Sequence, residues 1–133
     1  LGYARGTGHG GGSFLSVHEG PPRIATFGGG DEPLRPGMIV SNEPGYYKTG
    51  EYGIRIENLV LVEPREVAGA EKPMLGFRTL SHVPIDRELV AAELLDAGER
   101  AWLDAYHAET LHRIGSMVED ETRAWLTVAC APL

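Results

Sequence analysis

The sequence predicts an α+β chain with its strands first and its helices last. Residues 38–40 and 52–62 are apolar runs separated by the turn residues Pro44-Gly45 and Lys48-Thr49-Gly50, the pattern of an antiparallel strand pair. From Asp86 onward the apolar residues recur every three or four positions, as on one face of a helix. Glycine usage divides the chain in the same way, with 14 of the 18 glycines in residues 1–53. Glycine at that density brings the backbone into tight turns or close to a neighbour.

In order, residues 38–40 form a short strand. Residues 52–62 form a longer one, ending in Leu59-Val60-Leu61-Val62. Residues 63–73 read as a surface loop, and residues 74–83 as a further strand stopped by Pro84. Asp96 followed by Glu99 is a capping box with aspartate at the cap. Leu103, His107, Leu111, Ile114 and Val118 then line one face of a helix, and a second helix over residues 120–129 is expected to bury Trp125 and Leu126. The organisation expected is a first part over residues 1–86 and a helical extension over residues 87–133.

The bulk properties exclude several classes. A net charge of −7 disfavours a nucleic-acid or anionic-membrane partner, since both select basic patches. No apolar run approaches the roughly 20 residues of a membrane span, and no segment reads as a signal peptide. The single Cys130 rules out an internal disulfide framework and fits a reducing, cytoplasmic compartment. The chain opens on Leu1-Gly2-Tyr3, without an initiator methionine, and is expected to be a fragment.

Three residues stand out as ligands. Glu57 lies in Gly53-Ile54-Arg55-Ile56-Glu57-Asn58, where strand alternation puts it on one face with Arg55, Leu59 and Leu61. A carboxylate in that run is expected to be buried, and a buried carboxylate needs a cation. Arg55 would supply one as a structural ion pair, and a metal ion would supply another. Glu43 ends the preceding strand, held out of the helical region by Pro44. It is either a solvated residue at a loop entry or a carboxylate paired with Glu57 across a divalent cation. His9 sits in Gly6-Thr7-Gly8-His9-Gly10-Gly11-Gly12, where no neighbouring side chain competes for a ligand, a fair setting for a metal-binding imidazole. His18, nine residues on, is a second ligand, a proton carrier or a hydrogen-bond donor to substrate. His82 reads as a strand-end residue, and His107 and His112 as helix-surface or half-buried residues.

Gly6, Gly8 and Gly11 also match G-x-G-x-x-G, with Asp31 twenty residues after Gly11. A dinucleotide site needs a strand before that motif and a helix opening on it. Ser13-Phe14-Leu15 and Pro21-Pro22 make no helix, so the match is set aside.

Taken together, the segments resemble the metallopeptidase family with the pita-bread fold, and within it the aminopeptidase P (Xaa-Pro aminopeptidase) branch. The resemblance rests on Gly6-Thr7-Gly8-His9-Gly10, on Ser13 through Pro21 with its Val17-His18-Glu19-Gly20-Pro21, on Asn42-Glu43-Pro44-Gly45-Tyr46-Tyr47, and on Tyr52 through Asn58. Val83-Pro84-Ile85-Asp86, Trp102 through His107 and Trp125-Leu126 resemble the C-terminal extension of the longer members. It implies the second half of a pita-bread fold, with an antiparallel, curved sheet, and a helical tail. It implies that His9, Glu43 and Glu57 are ligands of two divalent ions, usually Mn²⁺. Glu43 would also be the general base. His18 would bind the substrate near the X–Pro bond, and Arg55 would orient the carboxylates. The substrate implied is a peptide with proline second, and the assembly a homodimer through the extension.

The chain departs from the family at Arg5, where a histidine is usual, and at Gly11, where valine is common. The family's first two ligands are aspartates ahead of the glycine loop, whereas all five aspartates here (31, 86, 96, 104 and 120) follow His9. The isolated chain is therefore expected to be inactive or nearly so. A metal-free pita-bread module that binds peptides or proteins, and an X-Pro dipeptidase relative, are the alternative readings.

Overall fold

The computed structural model describes residues 6–12, 18–20, 22–25 and 32–133. Arg5, residues 13–17, Pro21 and Asp31, each named above, lie outside the described residues. The chain divides into two compact units, Leu1–Ser81 and His82–Leu133.

The first unit holds a five-stranded sheet and a separate two-stranded ribbon. The strands are β1 (Gly8–Gly11), β2 (Arg23–Ile24), β3 (Ile39–Asn42), β4 (Gly45–Lys48), β5 (Tyr52–Arg55), β6 (Asn58–Arg65) and β7 (Met74–Thr79). The sheet order is β2-β1-β3-β6-β7, antiparallel at every pairing. Its core is Val40, Val60 and Val62, with Ile24, Leu34 and Met38 packed against it. Val60 and Val62 are the inward residues of β6, and Leu59 and Leu61 turn the other way, as the period of two requires.

The ribbon accounts for the main departure from the sequence reading. Residues 52–62 do not form one strand. β5 pairs with β4, from Gly45↔Arg55 to Lys48↔Tyr52, whereas β6 pairs with β3, from Ile39↔Leu61 to Asn42↔Asn58. A single strand cannot serve both partners without a break, and the break falls at Ile56-Glu57, where the Ile56 N–H donates to the Pro44 carbonyl at 3.3 Å. Ile54 and Ile56 consequently stay exposed instead of joining the Val60 face. The β4–β5 turn closes with the Glu51 N–H on the Lys48 carbonyl at 3.0 Å. Gly50 has φ of 75°, a left-handed conformation that favours glycine. β6 also runs on to Arg65, into the stretch read as loop, because β7 pairs with it as far as Arg65↔Met74.

In the second unit, α1 (Ala97–Ile114) begins with the expected capping box. The Glu99 N–H donates to Asp96 Oδ1 at 2.8 Å, and the Asp96 N–H to Glu99 Oε2 at 3.0 Å. The buried residues are Leu103, Tyr106, His107 and Thr110. Of the expected stripe, Leu103 and His107 are buried; its continuation through Leu111, Ile114 and Val118 is displaced toward Tyr106 and Thr110, and Val118 lies past the helix end. The displacement has a polar cause. The Tyr106 hydroxyl donates to the Val83 carbonyl at 2.8 Å and accepts the Val83 N–H at 3.1 Å. His107 Nε2 accepts the Ile85 N–H at 3.1 Å. Residues 82–86, assigned on sequence to the first part, are thus held by two adjacent residues of α1. α2 (Asp120–Ala129) has the expected bounds and buries Leu126, but Trp125 is 61% exposed.

His107 is fully buried, against the expectation of a surface or half-buried residue. Accepting from Ile85 commits Nε2 to its lone pair, so the ring proton sits on Nδ1, which has no hydrogen-bond partner among the described residues. Burial first, and the Arg87 guanidinium second, hold the pKa of His107 below the ordinary histidine value. Above about pH 6.5 the ring is neutral in both folded and unfolded chains and has no pH-linked effect. As the pH falls below that value the unfolded chain takes up the proton first. Folding stability should then decrease until the lowered folded pKa is reached. Urea midpoints measured between pH 7.5 and 5 should fall in the wild type and fall less in His107→Gln.

Candidate metal centre

His9, Glu43 and Glu57 converge. Each offers one ligand atom, and these atoms all lie within 4.8 Å of one another. They reach this point from three parts of the first unit: His9 from β1, Glu43 from the end of β3, and Glu57 from the break between β5 and β6. The break matters here, because a continuous strand would carry Glu57 along the ladder, whereas the change of partner leaves it beside the residue that follows β3. Glu57 is also less buried than expected, its side chain 37% exposed against 15% for Glu43.

Glycines make the approach possible. A Cβ at Gly8 would run into the Ser41 carbonyl and the Ile24 side chain, and one at Gly10 into the Glu19 carbonyl. The Gly10 carbonyl accepts the Glu19 N–H at 3.0 Å and lies 2.9 Å from His9 Nδ1. A carbonyl only accepts, so His9 carries its proton on Nδ1 and presents the Nε2 lone pair outward. The same carbonyl anchors the loop bearing His18, whose ring centroid lies 4.2 Å from that of His9.

His9 Nε2 lies 3.4 Å from Glu43 Oε1. In neutral His9 this sets a lone pair against a carboxylate oxygen, an arrangement that needs a proton or a cation between the two. Arg55 supplies nearby positive charge, with Nη1 3.5 Å from Glu43 Oε2 and Nε 3.2 Å from Glu57 Oε2. Glu57 foremost, then a hydrogen bond with Tyr47, hold the Arg55 pKa above its ordinary value. One imidazole nitrogen and two carboxylate oxygens are a donor set for a borderline or hard divalent ion such as Mn²⁺, Fe²⁺ or Zn²⁺. The residues present therefore fit a metal, and three donors fall short of the four to six such ions take, so further ligands are required.

Ser41 and Tyr47, neither of them a candidate site residue on sequence, line the same site. Ser41 stands two residues before Glu43, so strand alternation places both on one face. Tyr47 has Gly45 two residues before it and Gly53 opposite it, and its ring occupies the space that Cβ atoms at those glycines would need. It borders a cleft of about 210 Å³ with His18, Glu43 and Arg55. A second cleft, of about 350 Å³, lies against His9, His18, Glu19, Arg23 and Glu43. His82, His107 and His112 belong to the second unit.

A histidine and two glutamates meeting beside the break between β5 and β6, with an arginine across the carboxylates, make a candidate metal site. Residues 1–64 match the model for metallopeptidase family M24, and residues 73–133 that for the C-terminal region of peptidase M24; the chain belongs to this family. It is similar to proteins described as probable Xaa-Pro aminopeptidase P. The one from Laccaria bicolor is 46% identical over 100% of this chain and 22% of the relative. The one from Fusarium vanettenii is 47% identical over 95% of this chain and 21% of the relative. Among solved structures, an X-prolyl aminopeptidase from Caenorhabditis elegans, described as a cytosolic enzyme with a di-nuclear active site, matches with a TM-score of 0.85 and 36% identity, over 96% of this chain and 21% of that one. The chain thus spans about a fifth of the length of these relatives, and its curled antiparallel sheet is the second half of a pita-bread fold.

Gly8→Ala should show how far ligation depends on packing at this site, since it removes no donor. The added methyl meets β3 backbone, which cannot yield as a side-chain end can. A loss of about 1–3 kcal/mol in urea unfolding is expected, the usual cost of overpacking, with metal uptake weakened alongside.

Proposed function

We propose that this chain supplies His9, Glu43 and Glu57 to a dinuclear metal centre in an aminopeptidase that hydrolyses the bond between an N-terminal residue and a following proline. The observation that carries the reading is the meeting of those three donor atoms within 4.8 Å in a member of a metallopeptidase family. Three donors cannot complete two ions, so the remaining ligands, two aspartates on the resemblance, come from the rest of the protein. We take the ions as Mn²⁺, which when bound would lower the pKa of water and stabilise oxyanion charge.

Glu43, which borders both clefts, would take the proton of the attacking water as general base, the role the resemblance implies. Glu57 would be a further protein ligand of the two ions. His18, beside His9 and at the edge of both clefts, holds the substrate near the X–Pro bond and stabilises the tetrahedral intermediate. Arg55 fixes both carboxylates by contacting each. The substrate is a peptide with proline at its second position. A cytoplasmic setting agrees with the description of the C. elegans enzyme, and no helix among the described residues is long and apolar enough to cross a membrane.

The full-length protein should hydrolyse an X-Pro peptide with Mn²⁺ and lose that activity to a chelator. Glu57→Gln should reduce turnover at least about 100-fold, as loss of a ligand to a catalytic ion would. The isolated 133-residue chain should show little or no turnover. A metal-free binding module has one observation in its favour: Arg55 brings positive charge to both carboxylates without a metal. Calorimetric titration decides, because a module would take up no Mn²⁺ at micromolar concentration.

Residues 87–133 form the extension in this reading, and they carry a self-association surface. Trp102, Met117 and Trp125 are 55%, 77% and 61% exposed, more large apolar surface than a helical pair needs to leave in water. Sedimentation of the full-length protein should show a dimer. The double substitution Met117→Glu with Trp125→Glu should shift it to monomer.

A further inference from the structure

We propose that Ser41 is a positioning residue of the metal centre, its hydroxyl tying the backbone of His9 to the carboxylate of Glu43 and so setting the separation of two of the three donors. The proposal rests on the metal-site reading above and concerns what holds that site in shape.

Ser41 is fully buried in β3, where a hydroxyl needs partners. Its Oγ accepts the His9 N–H at 3.0 Å and lies 3.4 Å from Glu43 Oε1. The chemistry fixes the direction of both bonds. A backbone N–H can only donate and a carboxylate can only accept, so the single hydroxyl proton goes to Glu43 and a lone pair goes to His9. The β1–β3 register pairs Gly11 with Ile39 and Gly10 with Val40. At the next position along β1, the His9 N–H meets this side chain. The strand that presents the imidazole and the strand that presents the carboxylate are therefore joined by one hydroxyl group.

The carboxylate of Glu43 is held by a different group on each oxygen. Ser41 holds Oε1, which is also the oxygen 3.4 Å from His9 Nε2. Arg55 contacts Oε2. Two fixed oxygens define the plane of the carboxylate; with Ser41 removed, the arginine still holds Oε2 while Oε1 loses its hydroxyl donor, and the group is freer to pivot toward Arg55 and away from His9. Loss of the hydroxyl also leaves the His9 N–H without this acceptor, which loosens the backbone under the imidazole. Both effects spread the donors.

The test measures Mn²⁺ affinity of the full-length protein by titration calorimetry, with thermal melting recorded for each variant. Ser41→Ala should weaken Mn²⁺ binding about 10-fold or more, the scale of losing a group that orients a ligand. Ser41→Thr and Ser41→Val form a matched pair of one shape that differs only in the hydroxyl, so any packing strain is common to both. Threonine should bind Mn²⁺ at least about 10-fold more tightly than valine, on the same scale. Equal affinity in the matched pair, or wild-type affinity in Ser41→Ala whatever its melting temperature, would show a structural serine and overturn the proposal. No Mn²⁺ uptake by the wild type would overturn the metal-centre reading, and this proposal with it.

Discussion

Two carboxylates brought within a few ångströms of each other and of an imidazole repel unless positive charge lies among them, and the first unit is arranged around that requirement. Glu43 and Glu57 bring two negative charges, and Arg55 contacts both with one positive charge. The balance leaves one negative charge for a neutral histidine and a cation to share. The backbone serves this arrangement at each point. β3 ends where Glu43 begins, β5 and β6 separate where Glu57 begins, and β1 needs glycine on both sides of His9 to lie against its neighbours. Among the described residues the buried core of this unit is Val40, Val60 and Val62, and geometry at the site rests on the strand ladders and on polar ties such as Ser41.

Much of the site was legible in the sequence because its signals are short-range. Glycine beside histidine, proline after glutamate and arginine two residues before glutamate are all statements about neighbours, and each survived in the fold. The capping box of α1 was legible for the same reason, as a contact between residues three apart. Less legible was anything that depends on which strand pairs with which. Residues 52–62 look like one strand because Ile54, Ile56 and Val60 keep a period of two, yet that period carries no information about partners. The exchange from β4 to β3 at Ile56-Glu57 is a long-range event, and it decides both the exposure of Glu57 and its meeting with Glu43. Ser41 was legible in principle from its alternation with Glu43, but its acceptor role needs β1 in place.

In the second unit apolarity is the poorer guide. The stripe through Leu103, His107, Leu111, Ile114 and Val118 accounts for a helix but not for what lies against it. Tyr106 and His107 are buried because the extended segment 82–86 presents backbone N–H and carbonyl groups that need partners out of water. A tyrosine and a histidine can meet that demand and a leucine cannot. Trp125 stays exposed for the complementary reason: the inner position of α2 next to it is taken by the smaller Leu126.

The glycine loop shows how little a motif means before its surroundings are known. Gly6, Gly8 and Gly11 fit a nucleotide fingerprint by spacing, and in such a site the missing side chains make room for a phosphate. Here protein takes the room at Gly8, and at Gly10 on the other side of His9. The Ser41 and Glu19 carbonyls occupy the space that side chains at Gly8 and Gly10 would need. The consequence for His9 is specific. With both flanking residues pressed against neighbouring backbone, the imidazole has the Gly10 carbonyl behind it and Glu43 before it, and its tautomer follows from the first contact. A loop that elsewhere makes space for a ligand's charge is used here to remove space, so that one nitrogen lone pair points in one direction.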